Sequence, residues 1–216
     1  MKKDITINDI SLSKMGWIRE NIDFPIPQSQ SETVVVPGRN SPIRFTEALG
    51  LVSFQPRAFT ISLSMLGTRE EFNEIVRRTS NRFAGKLAQV ITSEESDLYC
   101  IGTLEIKPSY DPLTGKGMLV ISCFDADSYR YHVDITEVVQ DGSGTTTLEN
   151  DYMPVVPMII TTKETTLSWK IGDDSFQKTL SAGTWEIPEL QLMRGVNTIK
   201  IEGEGMTTFR YREGCL

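Results

Sequence analysis

The stretch FTISLSM, residues Phe59–Met65, decides the fold class of this 216-residue chain. Its apolar residues fall on every second position, and Thr60, Ser62 and Ser64 fill the positions between them. Because successive side chains of a strand point to opposite faces, this alternation predicts a strand with one buried face. Comparable short segments recur along most of the sequence, so we predict a mainly β protein.

Further strand signals lie on both sides of this stretch. Residues Tyr99–Ile106 and Met118–Phe124 are strand candidates, and the turn-forming segment Pro108–Gly115 separates them, which predicts one long β-hairpin. Upstream, the β-branched segment Thr33–Val36 is followed by Pro37-Gly38-Arg39-Asn40. These four residues favour a turn, so the strand is expected to stop there.

One helix interrupts the strands, at about residues 69–84. Thr68 and Glu71 have the spacing of a capping box, in which each side chain binds a backbone N–H of the other residue. The residues that follow repeat at helical spacing and predict one buried face: Phe72, Ile75, Val76, Thr79 and Phe83. Gly85 is well placed to end the helix.

The composition changes near Tyr129–Tyr131, where we place a domain boundary. Residues Gln140–Thr147 contain Asp141-Gly142-Ser143-Gly144-Thr145 and predict a flexible loop or exposed turn. Short strand candidates then follow at regular intervals: Val155–Thr161, Thr165–Ile171, Ser175–Leu180, Gly183–Ile187, Asn197–Glu202 and Thr207–Arg212. Short strands with frequent turns and no helix indicate a β-sandwich. We therefore predict two domains, 1–130 and 131–216.

The net charge of −7 is unevenly distributed between these halves. Residues 1–130 hold 15 basic and 16 acidic residues, whereas residues 131–216 hold 7 basic and 13 acidic ones. No segment is dense in Lys and Arg, which argues against specific nucleic-acid binding, because affinity for phosphates comes mostly from cations.

Cysteine spacing and hydropathy argue against a disulfide-stabilised, zinc-binding or membrane-spanning protein. The three cysteines, Cys100, Cys123 and Cys215, have no CxxC spacing, so neither a disulfide framework nor a zinc site is expected. Cys100 and Cys123 lie among apolar residues and are predicted to be buried. No signal peptide and no apolar run of about 20 residues is visible, so we expect synthesis in the cytoplasm and no membrane span.

Residues that could support catalysis are few. His132 is the only histidine, and no G-x-S-x-G motif accompanies it. Three acidic pairs could in principle serve a glycosidase: Glu94-Glu95, Asp125/Asp127 and Asp173-Asp174. Such pairs are more often found in turns or on solvated faces. Gly142-x-Gly144 is not followed by a helix and does not predict a phosphate loop. We therefore expect no enzyme activity, metal or cofactor.

Tryptophans leave one alternative open, a carbohydrate-binding module for recognition of the host cell surface. Such a module would use exposed aromatic rings as stacking platforms. Trp169 alternates with Leu167 and Ile171, and Trp185 alternates with Ile187, which predicts that both rings lie in the core instead.

Four segments resemble the distal tail proteins of siphophages, and their order spans nearly the whole chain: Ile5–Ser13, Ser31–Asn40, Arg194–Gly205 and Phe209–Leu216. The second contains a V-P-G-R-N version of the family's V-P-G-R-[DN]-G turn, with Ser41 where the family often has Gly. The third is similar to the family's glycine-rich ending.

The resemblance implies an N-terminal split-barrel-like β domain that forms a homo-hexameric ring and a C-terminal galectin-like β-sandwich outside it. The ring would be a virion component at the tail tip, a baseplate hub with a channel for DNA. Its expected partners are the tail tube protein, a tail-associated lysin-like tip protein and a receptor-binding protein.

Exposed strand edges tend to pair with other chains, and a head-to-tail contact that closes produces a ring. On this basis, two regions are candidate subunit interfaces: the Thr33–Arg44 turn region and the Leu98–Phe124 hairpin, whose long loop could reach a neighbouring subunit. The candidate residues are Pro37, Gly38, Arg39, Asn40, Asp111 and Pro112.

Overall fold

In the computed structural model, residues 4–30, 32–38, 40–41, 43–45 and 52–216 are described. The chain divides into two compact units. Unit 1 comprises residues 1–130 together with Leu216, and unit 2 comprises residues 131–215. Each unit is mainly β, as the sequence predicts. Among the described residues, no helix has the length and apolar character that a membrane crossing requires.

Unit 1 contains two antiparallel sheets, a two-stranded ribbon and one helix. The strands are β1 (Ile5–Ile7), β2 (Ile10–Ser11), β3 (Ile18–Asp23), β4 (Glu32–Val34), β5 (Ile43–Phe45), β6 (Arg57–Leu66), β7 (Leu87–Thr92), β8 (Glu95–Thr103), β9 (Glu105–Asp111) and β10 (Lys116–Ala126). The first sheet includes the order β2-β1-β7-β8, and the second has the order β3-β6-β10-β9. The ribbon pairs β4 with β5.

The core of unit 1 is centred on β6, where the predicted alternation is confirmed. Phe59, Ile61, Leu63 and Met65 are all buried. The neighbouring strand β10 places buried residues opposite three of them, in the pairs Cys123–Phe59, Ile121–Ile61 and Leu119–Leu63. These cross-strand pairs form one continuous apolar layer, which is the main stabilising unit of a sheet.

The predicted hairpin between Tyr99–Ile106 and Met118–Phe124 is confirmed for residues 105–111 and 116–122 and is wrong for residues 99–103. The first segment is split at the buried Leu104 into β8, which pairs with β7, and β9, which pairs with β10. Pro108 lies inside β9 and not in the loop. Proline is tolerated there because β9 is the last strand in the order of its sheet, so the missing N–H breaks no inner ladder.

The helix α1 (Arg69–Phe83) has the predicted capping box. Glu71 N donates to Thr68 Oγ1 at 3.3 Å, and Thr68 N donates to Glu71 Oε2 at 2.8 Å. Phe72, Thr79 and Phe83 are buried, and the helix ends before Gly85, whose φ of +68° suits glycine. The Trp17 indole N–H donates to Thr79 Oγ1 at 3.0 Å and fixes the buried face of the helix.

Unit 2 is a β-sandwich, as predicted. The strands after β10 are β11 (Arg130–His132), β12 (Thr136–Asp141), β13 (Gly144–Asn150), β14 (Met158–Thr161), β15 (Thr165–Ile171), β16 (Asp174–Leu180), β17 (Gly183–Glu186), β18 (Gly195–Gly203), β19 (Met206–Tyr211) and β20 (Gly214–Cys215). One sheet of the sandwich has the order β12-β19-β14-β17, the other has the order β13-β18-β15-β16, and β11 and β20 belong to neither. Both sheets and the segment 187–192 contribute apolar residues to one core: Leu148, Ile159, Leu167, Trp169, Leu180, Ile187, Leu190, Leu192, Ile199, Ile201, Phe209 and Tyr211.

Two predictions in unit 2 need correction. Residues Gln140–Thr147 are not a flexible loop, because β12 and β13 occupy most of the segment; the alternative of a turn is confirmed for Gly142-Ser143, which connects the two strands. Trp185 is not a core residue, since its side chain is 37% exposed on the edge strand β17. Trp169, by contrast, is 7% exposed, as its alternation predicts.

Candidate interface site

The first predicted interface lies at the end of the β4–β5 ribbon. The ribbon pairs Glu32 with Phe45 and Val34 with Ile43, so the chain reverses between Val35 and Asn40. Pro37 and Gly38 form a turn there, and Gly38 has a φ of +83°, which glycine adopts without strain. Pro37, Gly38 and Asn40 are exposed, whereas Arg39 lies outside the described residues.

Three consecutive valines precede this turn and are exposed. Val35 has 77% of its surface accessible, and Val34 and Val36 are also among the exposed large apolar side chains. A two-stranded ribbon is only marginally stable by itself in water. Within the described part of the chain, β4 and β5 pair with no other strand. The ribbon therefore has both unpaired edges and apolar surface available for a partner.

The second predicted interface is the tight turn between β9 and β10. Asp111 Oδ1 accepts a hydrogen bond from Leu113 N at 2.9 Å, and Asp111 Oδ2 accepts one from Thr114 Oγ1 at 2.7 Å. These hydrogen bonds stabilise the carboxylate and lower the pKa of Asp111. Asp111 is therefore primarily a residue that orders the turn, and Pro112 lies exposed within it.

The side chain most available for contact in this turn is Leu113, which the sequence reasoning did not single out. Leu113 is 95% exposed, although leucine is normally buried. Tyr110 Oη donates to Gly67 O at 2.9 Å, and Gly67 N donates to Gly115 O at 3.1 Å. The turn is thus anchored to the segment before α1 and presents Leu113 in a fixed position.

The structure places the two predicted regions on different sheets. The first is on the β4–β5 ribbon, and the second joins two strands of the sheet β3-β6-β10-β9. No hydrogen bond recorded for the described residues links them. Each is therefore a separate surface of unit 1.

An arginine and a glutamate connect the two sheets of unit 1. Arg19 of β3 forms a bidentate ion pair with Glu94, which lies in the turn between β7 and β8. The guanidinium hydrogen bonds lower the pKa of Glu94 to about 2. Next to it, Glu95 pairs with Arg130, and the four side chains line a cleft of about 280 Å³. The predicted acidic pair Glu94-Glu95 is thus engaged in ion pairs.

The other residues with possible chemistry do not form a catalytic arrangement. His132 Nε2 lies 3.9 Å from Asp151 Oδ2, but no hydrogen bond from its ring to a hydroxyl or thiol occurs among the described side chains. Asp125 Oδ1 accepts from Thr103 N at 2.8 Å, and Asp173 is exposed beside Gly172. In the described ranges, no group of three His, Cys, Asp or Glu side chains could hold a metal ion.

Two cysteines are buried, as predicted. Cys100 and Cys123 have free thiols, and burial raises the pKa of Cys100 to about 11 and that of Cys123 to about 12. A thiol reacts as its thiolate, so both thiols are unreactive at neutral pH and the two cysteines serve as small core residues.

Comparison with solved structures identifies the fold. The crystal structure of SPP1 Dit aligns over 99% of this chain and 99% of its own chain, with a TM-score of 0.73 and 11% sequence identity. This chain has the fold of SPP1 Dit. SPP1 Dit is described as a paradigm of the hub adsorption apparatus in phages that infect Gram-positive bacteria. No protein-family model and no curated protein matches the sequence.

The match to SPP1 Dit covers both units, so neither unit is an addition to that fold. It agrees with the resemblance to distal tail proteins that the sequence motifs indicate. At 11% identity the likeness shows the fold alone, so the roles of individual interface residues have to be argued from this chain.

Proposed function

We propose that this protein is a non-enzymatic structural subunit of a long-tailed phage tail tip, where six copies form a ring hub. The ring connects the tail tube to the tail-tip proteins and leaves a channel for DNA. The observation that carries this proposal is the likeness to SPP1 Dit, which covers 99% of both chains and therefore includes both units.

The surface of unit 1 supports self-association. The ribbon presents the exposed Val34, Val35 and Val36, and the β9–β10 turn presents Leu113. Contiguous exposed apolar surface marks interaction sites in soluble proteins. Since the two surfaces differ, a contact in which one meets the other on a neighbouring copy is heterologous, and such contacts produce a ring when the rotation between copies closes.

The charge balance is compatible with a DNA channel. The net charge of −7 and the absence of a basic segment keep affinity for phosphates low. A channel protein benefits from this property, since DNA has to pass without being retained. The tail tube protein, a lysin-like tip protein and a receptor-binding protein are the partners proposed for the faces of the ring and for unit 2.

Light scattering coupled to size exclusion tests the ring on the purified full chain. The expected result is a mass near six times that of the 24.3 kDa chain, followed by ring-shaped particles with a central hole in electron microscopy. A mass of one chain at every concentration, with no ring when the tail tube protein is added, would contradict the proposal.

A further inference from the structure

A groove of about 600 Å³ lies in unit 2 beside the β15–β16 turn and the start of β18. Ser168 and Lys170 of β15 line it, together with Thr198 and Lys200 of β18. These residues alternate with the buried Trp169 and Ile199, so their side chains point away from the core. The volume is within the range of small-molecule sites, roughly 300–1,000 Å³.

The groove is cationic although the unit around it is acidic. Of the 7 basic residues in 131–216, three line the groove, namely Lys170, Arg194 and Lys200. None of the 13 acidic residues of that region lines it, as far as the described residues show. Opposite charges attract, so a groove lined by cations and by no acidic side chain favours an anionic ligand.

Two of the three cations are available to a ligand. Lys170 and Arg194 form no ion pair with any residue in the described part of the chain, and both are exposed. The Arg194 guanidinium lies over the Tyr152 ring, 5.5 Å from its centroid, which limits its motion. Lys200 Nζ lies 2.7 Å from Glu202 Oε1, so this cation is already partly neutralised.

The loop that carries Arg194 is held in place. The Asn197 side-chain amide donates to Met193 O at 2.7 Å, and its Oδ1 accepts from Met193 N at 2.8 Å. A positioned cation loses less conformational freedom when a ligand binds, which increases affinity. Asn197 therefore acts as a positioning residue for Arg194.

Neutral polar groups surround the cations. The hydroxyls of Ser168, Ser175 and Thr198 line the groove, and each can donate and accept a hydrogen bond. A sugar carries hydroxyls with the same dual capacity. Trp169 offers no stacking surface, because its ring is buried and its indole N–H donates to Glu189 O at 3.1 Å.

We propose that this groove binds an anionic saccharide, meaning a sugar that carries a phosphate or carboxylate group. Lys170 and Arg194 bind the anionic group, and the surrounding hydroxyls bind the sugar. Charge complementarity favours this occupant over a neutral sugar.

Backbone amide chemical shifts of the labelled full chain test the proposal, with glucose 1-phosphate as the probe. Millimolar concentrations should shift the amides of residues 168–172 and 193–200, and the effect should weaken as salt is added. The double variant Lys170→Gln/Arg194→Gln should bind at least about tenfold more weakly, since each charged hydrogen bond is worth that much. The control is Lys163→Gln, a lysine of the same unit that pairs with Glu204 outside the groove.

Three results would overturn the assignment. One is the absence of shifts at the groove with either glucose 1-phosphate or glucuronic acid. Another is an equal response to inorganic phosphate, which would mean that the sugar is not recognised. The third is binding of a glutamate hexapeptide at the same amides without binding of the sugar phosphate. None of these readouts depends on ring formation, so they are independent of the function proposed above.

Discussion

At the residue scale, one glycine sets the distance between α1 and the sheet beneath it. Gly117 of β10 is buried directly under the Phe72 ring, and a Cβ atom added there would lie 2.2 Å from Phe72 Cδ2. That distance is far below van der Waals contact, so the side chain would have to displace either the ring or the helix.

We predict that Gly117→Ala lowers the free energy of unfolding by about 1–3 kcal/mol, the usual cost of overpacking a core. The measurement is urea unfolding followed by circular dichroism. The control is Ser109→Ala on the adjacent strand β9, an exposed position where a change within about 0.5 kcal/mol is expected. Equal midpoints for the two variants would show that Phe72 is free to move aside.

A second residue-scale prediction concerns pH. The Arg19 guanidinium depresses the pKa of Glu94 from 4.5 to about 2, so the folded state holds this carboxylate ionised more strongly than the unfolded state does. Its stabilising contribution is therefore fully present above pH 4.5 and is lost as the pH falls toward 2. Glu94→Gln should remove this part of the pH dependence.

Thermal unfolding at several pH values measures the effect of Glu94→Gln. The difference in melting temperature between the native protein and the variant should be largest at pH 7 and should shrink between pH 4.5 and 2. Glu186→Gln is the control, because Glu186 is exposed and forms no ion pair within the described chain. A difference that is constant over the whole pH range would contradict the role of the ion pair.

At the scale of elements, local signals predicted the helix, whereas strand pairing needed the tertiary structure. The capping box at Thr68 and the terminator Gly85 act through neighbouring backbone groups, so a short window of sequence contains all the information. The segment Tyr99–Ile106 shows the opposite case. Its residues are typical of a strand throughout, but at the buried Leu104 the chain leaves one sheet and enters the other. The sequence around Leu104 contains no turn signal that predicts this break.

We predict that Thr68→Ala destabilises the start of α1 by about 1 kcal/mol, because the Thr68 hydroxyl no longer accepts from Glu71 N or donates to Glu71 Oε2. Urea unfolding measures this change. Asn73→Ala, at an exposed position inside the same helix, is the control and should be neutral or slightly stabilising, since alanine has the higher helix propensity. A loss of stability in the control alone would argue against the cap.

At the scale of the whole molecule, assembly should depend on the exposed valines of the ribbon. Val35→Asp places a charge on a side chain that is 77% exposed, so the fold of the single chain should be unaffected. In a subunit interface the same charge would be buried without a partner, which is strongly unfavourable. We predict that this variant has the mass of a single chain in light scattering under conditions where the native protein forms the ring.

Val139→Asp is the matched control, because Val139 is an exposed valine of unit 2 and lies outside the proposed contact surfaces. Its mass should remain that of the native assembly. Retention of the native mass by Val35→Asp would exclude the ribbon as an interface and would leave Leu113 in the β9–β10 turn as the remaining candidate.

The sequence by itself determined the mainly β character, the helix and its ends, and the buried faces of Phe59–Met65 and Thr165–Ile171. These properties follow from side-chain periodicity and capping, which act over a few residues. Only the tertiary structure decided which strands pair, that Trp185 is exposed and that Lys170 and Arg194 line the same groove. The physical reason is that strands of similar alternation can pair in many ways, and the choice depends on packing between residues far apart in the chain.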